Sequence, residues 1–201
     1  MNNQLQGVRW SENVILVDAD YVDKVAFNLI VNFERMLGRR IPQADLAQWI
    51  DCVALDGGMR PSVQETLVVM IHSKNKKGLE NFLPANFKDE IDNKAFKDHL
   101  GEFTINTFAK EDIPGCENFF TDALQLIAAQ KDVKRMMVIP DAEDLIIYNK
   151  VREALRDVDD GKSVTVFSMQ PMTGGNFKQE ILGYSLMAAL GIRSDEINGK
   201  M

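Results

Sequence analysis

Asn13-Val-Ile-Leu-Val-Asp18 is the stretch whose reading decides the fold. Four apolar residues in a row, three of them β-branched, show no alternation between wet and dry faces. A run of that kind reads as a strand buried on both sides, as in a parallel sheet. Past Asp20 the period changes. Val22, Val25, Ala26, Leu29, Ile30, Phe33, Met36 and Leu37 recur at steps of three and four and share one helical face. Gly38 is a natural stop for that helix. A buried strand running straight into an amphipathic helix is the opening of an α/β sheet.

The pattern recurs along the chain. A second helix is expected after Pro42, with Leu46, Trp49, Ile50 and Val53 inward, ended by Asp56-Gly57-Gly58. Thr66 to Ile71 reads as a buried strand. Glu102 to Phe108 alternates polar and apolar positions and reads as a strand nearer an edge. Further expected elements are a helix from about Asn118 to Gln130, a strand from Met136 to Ile139 and a helix from about Ala142 to Val158. A strand from Val164 to Phe167 and a last helix from about Phe177 to Leu190 complete the series. Ser73 to Leu100 carries the weakest pattern, with a short helix expected from about Lys94 to His99. Strands alternating with helices imply a three-layer α/β/α fold with a mainly parallel sheet of about five strands, in one domain over residues 1–201.

Composition narrows the function. The 201 residues are 45% apolar and 26% charged, an ordinary globular balance. No segment reaches the roughly 18 apolar residues of a membrane helix, and the polar start lacks a secretory pattern, so a cytoplasmic protein is expected. Cys52 and Cys116 have no C-x-x-C spacing and point to neither a disulfide framework nor a zinc site. A net charge of −7 disfavours non-specific nucleic-acid binding, which relies on cations.

In an open parallel sheet, sites form at the carboxyl ends of strands where strand order reverses. Asp18 and Asp20 fall at the end of the first strand. Asp141, Glu143 and Asp144 fall at the end of the fourth. Clustered carboxylates repel unless a cation lies among them, and Mg²⁺ or Mn²⁺ prefers oxygen ligands. The plainer reading is capping: Asp20 for the helix near Tyr21, and Asp141 for the helix near Ala142 with Glu143 and Asp144 in its first turn. Lys74, Lys76 and Lys77 come after the second strand on the same edge and are candidate phosphate (substrate) contacts, or a solvated loop. Thr173-Gly-Gly-Asn176 is a candidate anion cradle without a P-loop lysine, or a plain turn. His72, Ser73 and His99 have no spacing or partner that marks a metal or triad site. Trp10 and Trp49 are candidate anchors for a partner, although Trp49 fits a buried helix face.

Three segments resemble the PIN-like nucleases, in particular their NYN branch. They are Val14-Ile-Leu-Val-Asp-Ala-Asp20, Phe120-Thr-Asp-Ala-Leu-Gln-Leu-Ile127 and Met137-Val-Ile-Pro-Asp-Ala-Glu-Asp-Leu-Ile-Ile-Tyr148 with the strand Val164–Phe167 beyond it. The resemblance implies metal-dependent hydrolysis of RNA phosphodiesters, with Asp18, Asp122 and Asp141 as principal ligands of Mg²⁺ or Mn²⁺. Asp20 and Glu143 or Asp144 would assist. Two positions depart from the family: Tyr21 stands where an amide residue is common, and Ile139-Pro140 where Ser or Thr and Gly are usual. These departures imply an alternative, a catalytically inactive PIN-like module that binds RNA or a protein. Asp18-x-Asp20 at the end of a first strand, with Asp141 and Asp144 after a later one, also resembles the haloacid-dehalogenase phosphatases. There Asp18 would be the nucleophile and Asp20 the general acid, with Ser73 and Lys134 as further candidates.

Overall fold

The computed structural model describes residue 5, residues 7–110 and residues 119–198. Its centre is the opening strand, β1 (Asn13–Asp18), buried along its whole length. It pairs in parallel with β3 (Glu65–Ser73) on one side and β7 (Arg135–Ile139) on the other. Beyond β3 lie β6 (Gly101–Lys110), parallel, and then β5 (Lys94–Asp98), antiparallel. Beyond β7 lie β8 (Ser163–Ser168) and β9 (Lys178–Ile181), both parallel. The sheet order is β5-β6-β3-β1-β7-β8-β9. Two short strands, β2 (Ala44–Asp45) and β4 (Phe82–Leu83), form a separate parallel pair.

Helices cover both faces. β1 sends Ile15 and Val17 to one side and Val14 and Leu16 to the other. On the first side lie α1 (Ala19–Leu37), α2 (Leu46–Asp56) and α5 (Leu182–Ala189). Trp49 is fully buried there, its indole N–H donating to Ser185 Oγ at 3.2 Å and its ring edge-on to Phe82. On the second side lie α3 (Phe119–Ala128) and α4 (Leu145–Ala154). A short α6 (Ser194–Asn198) comes last. Gly38 ends α1 in the left-handed conformation, its N–H bonded to Glu34 O at 2.9 Å. Among the described residues no helix is long and apolar enough to cross a membrane.

The three-layer α/β/α architecture is the one the sequence implies, but among the described residues the main sheet has seven strands rather than about five. Both additional strands replace expected helix. Lys94–Asp98 is strand because it folds back on β6, with Phe96 stacked on Phe103 at 4.9 Å. A five-residue stretch with one such anchor takes its conformation from its neighbour rather than from its own propensity. Lys178–Ile181 pairs with β8, so the last helix begins at Leu182 and not near Phe177. The expected helix from Ala142 likewise begins only at Leu145, after a turn. Cys116 and the expected first residue of the third long helix, Asn118, lie outside the described residues. Between Ser73 and β5 the chain makes one π-helical turn, Phe87–Ile91, whose Phe87 ring stacks on His72 at 3.9 Å.

Candidate functional site

Strand order reverses at β1, so the carboxyl ends of β1 and β7 are where a site is expected in an open parallel sheet. Asp18 lies level with Ile71 of β3, and Val17 with Ile139 of β7. The two acidic groups picked out in the sequence therefore meet at one edge, on adjacent strands. Asp122, in the first turn of α3, is exposed.

The capping assignments differ from the expected ones. Asp18, not Asp20, is the N-cap of α1: its Oδ1 accepts from Tyr21 N at 3.1 Å. The helix starts at Ala19, so only Asp18 keeps the extended backbone a cap requires. Asp144, not Asp141, is the N-cap of α4, accepting from Ile146 N at 2.9 Å and Ile147 N at 3.3 Å. Asp141 closes the turn before it, accepting from Glu143 N at 3.1 Å and Asp144 N at 3.3 Å. Glu143 turns to Lys24 of α1, 3.1 Å away.

The centre of the edge is held by a residue that no sequence motif marks. Lys110 ends β6, opposite Ser73 at the end of β3. Its Nζ lies 3.1 Å from Asp18 Oδ2 and 3.4 Å from Asp20 Oδ2. Asp20 Oδ2 also accepts from Ser73 N at 2.9 Å and from the Ser73 hydroxyl. Lys76 stands 3.7 Å from both Asp20 and Asp23. Asp23 is buried, and its carboxylate accepts from Glu80 N and Asn81 N, which ties α1 to the loop after β3. Of the three candidate phosphate contacts, Lys76 is thus engaged with acids, while Lys74 and Lys77 are exposed.

The electrostatics reflect this packing. Burial pushes the Asp18 carboxyl above its ordinary pKa and outweighs the opposing pull of Lys110 and the Tyr21 N–H. For Lys110, burial works against the charged form, but Asp18 and Asp20 more than offset it and the net shift is upward. Tyr21 is buried, and its hydroxyl has no hydrogen-bond partner among the described residues. Burial, then the charges of Glu143, Asp141 and Asp18, hold that phenol firmly in its neutral form. A bulky neutral ring thus stands in the acidic edge at the position where the resemblance expects an amide residue.

These residues do not fit a divalent cation well. Both Asp18 oxygens are engaged, and the Lys110 ammonium already brings positive charge between Asp18 and Asp20; Asp20 Oδ1 has no hydrogen-bond partner among the described residues, but the Lys76 ammonium stands 3.7 Å from it. Asp141 and Asp144 each commit an oxygen to backbone amides. Among the described residues, three ligand atoms come within 4.8 Å of one another only at Asp51, Asp98 and His99, elsewhere on the sheet.

The smaller candidates resolve as structural parts. Thr173 O accepts from the Tyr148 hydroxyl at 2.8 Å, and Gly174 O from Arg152 Nε at 2.9 Å. This turn offers two carbonyls to α4. His72 is buried, its Nδ1 2.9 Å from Ser73 O. Lys134, the phosphatase candidate, reaches Lys131 O at the amino end of β7, away from Asp18.

A model of a family of unknown function, DUF6621, matches residues 7–197, and the chain belongs to that family. No curated protein and no solved structure matches the chain.

Proposed function

We propose that this protein is a PIN-like module that binds a protein partner at the acidic edge and does not hydrolyse RNA. The observation that carries the reading is Lys110. Its ammonium bonds Asp18 and Asp20 together, and so supplies the positive charge that a nuclease of this type would take from a metal ion. A metal would have to displace a partly buried lysine and break the Asp18 cap. Neither Mg²⁺ nor Mn²⁺ is therefore a cofactor in this reading, and Asp18, Asp122 and Asp141 are not a catalytic set.

The choice of a protein over RNA rests on charge and apolar exposure. The chain carries −7, and its acidic edge repels phosphates. Beside the Asp141 turn, Leu145 and Ile146 are 62% and 69% exposed. Adjacent exposed aliphatic side chains at a rim of charges suit a protein contact. A cytoplasmic setting accords with the free thiol of Cys52.

The test is a cleavage assay on single-stranded RNA with Mn²⁺ or EDTA, comparing the wild-type chain with Asp18→Asn. We expect equal background in all four conditions. Mn²⁺-dependent cleavage that Asp18→Asn abolishes would establish a nuclease and overturn the proposal. The partner arm uses Leu145→Asp with Ile146→Asp, both exposed and tolerant of charge. A partner copurifying with the wild-type chain should be lost from this variant, and its retention would remove the assigned surface.

A further inference from the structure

The opposite end of the sheet carries a different constellation. The turn between β5 and β6 holds Asp98 and His99, and α2 brings Asp51 against them. One ligand atom from each lies within 4.8 Å of the other two. The mount is rigid. Asp98 Oδ1 accepts from Leu100 N at 2.7 Å, and the Leu100 side chain is fully buried. Gln64 Nε2 donates to Leu100 O at 3.1 Å. Gly101 closes the turn at φ +127°, where a Cβ would collide with Gln64 O. Asp51 sits on a helix fixed by buried Trp49, Ile50, Val53 and Ala54.

We propose that Asp51, Asp98 and His99 form a binding site for a divalent transition-metal ion of the Zn²⁺ class. Two carboxylates and one imidazole match the ligand types and number of an open zinc site, with a fourth position left for water or an outside ligand. A second observation points the same way. Asp51 Oδ1 is buried with no hydrogen-bond partner among the described residues, an acceptor that costs free energy unless something donates to it or coordinates it. A metal ion held by these three residues would satisfy the orphaned oxygen. Asp98 and His99 also line an open cavity of about 700 Å³ with Arg9, Lys97 and Glu102. The open coordination position thus has room for an exogenous ligand.

The site is independent of the acidic edge, so its test does not depend on the binding reading. The full chain is stripped with chelator and titrated with Zn²⁺ by calorimetry, with Mg²⁺ as the hard-cation control. We expect one Zn²⁺ per chain. At a hundredfold excess over Kd, the midpoint of thermal unfolding should rise by about 5–10 °C. His99→Ala and Asp51→Asn should each weaken Zn²⁺ binding by about tenfold or more. Asp51→Asn keeps the size and shape of the side chain, so it should fold. Cys52→Ser should bind as the wild type does, which separates the site from the neighbouring thiol. Absence of one-to-one binding overturns the proposal. So does unchanged affinity in both His99→Ala and Asp51→Asn, or loss of binding in Cys52→Ser alone.

Discussion

Replacing Lys110 by Met should expose what its ammonium does. The methionine keeps the aliphatic length but removes the charge between Asp18 and Asp20. Unit charges 3.1 Å apart attract by about 5 kcal/mol at an effective dielectric near 20. Much of that is offset by the desolvation of a lysine whose side chain is only 33% exposed and of an aspartate 7% exposed. Removing one partner of such a pair leaves the other charge stranded, so a net loss of about 2–3 kcal/mol is expected at pH 7.5. The pH dependence gives a second signature. Burial already holds the Asp18 carboxyl above its ordinary value, and losing Lys110 raises it further. A carboxyl whose folded pKa exceeds its unfolded one is penalised only when ionised. The cost of the substitution should therefore be small near pH 4, grow as pH rises through the folded pKa of Asp18, and be complete at neutral pH. Urea unfolding of the two proteins at pH 4.0 and pH 7.5, in chelator, measures both quantities. A difference below about 0.5 kcal/mol at pH 7.5, or one that does not change with pH, refutes the reasoning. If Lys110 stands in for a metal, Mn²⁺ should also stabilise the Met variant and leave the wild-type chain unchanged.

Other outcomes rest on single contacts. Asp144→Ala removes the α4 cap and should cost about 1 kcal/mol in urea unfolding whether or not a divalent ion is present; a cost that appears only with Mn²⁺ would instead make Asp144 a ligand. Trp49→Ala should destabilise by about 3–5 kcal/mol, because it empties the contact between α2, Phe82 and Ser185. Bonds from Arg39, and then from the Arg193 N–H, hold the Glu196 carboxyl down to about 2. In Arg39→Ala, carboxyl-carbon NMR should find Glu196 moved up toward its ordinary value of about 4.3 but still below it, because the Arg193 N–H continues to bond its carboxylate; no movement would mean that the Arg39 contact is not made in solution.

The layers of the fold were legible because their signals are local. β1 reads as buried from four consecutive apolar residues, and α1 from eight positions on one face with a glycine stop. The edge strands were not legible. β5 and β9 are short and polar, and each is strand only because a neighbour offers a free row of hydrogen-bonding groups. The placement of Asp18 and Asp141 on one edge was legible from strand order and element type. The state of that edge was not. Lys110 lies two residues beyond the alternating pattern that marked β6, so its arrival beside Asp18 depends on strand register, which no local pattern encodes. The Asp51, Asp98 and His99 group was invisible for the same reason: it joins a helix and a hairpin turn 47 residues apart.

The two boundary strands constrain how this molecule meets others. β5 presents Lys94 and Lys97, and β9 is four residues long with Lys178 and Glu180. Charge on one flank and brevity on the other make both margins poor templates for an incoming strand. A sheet that cannot be extended sideways resists open-ended stacking of its own copies. It also directs recognition away from main-chain zippering, toward the ends of the strands and the helical faces, where side chains alone decide what binds.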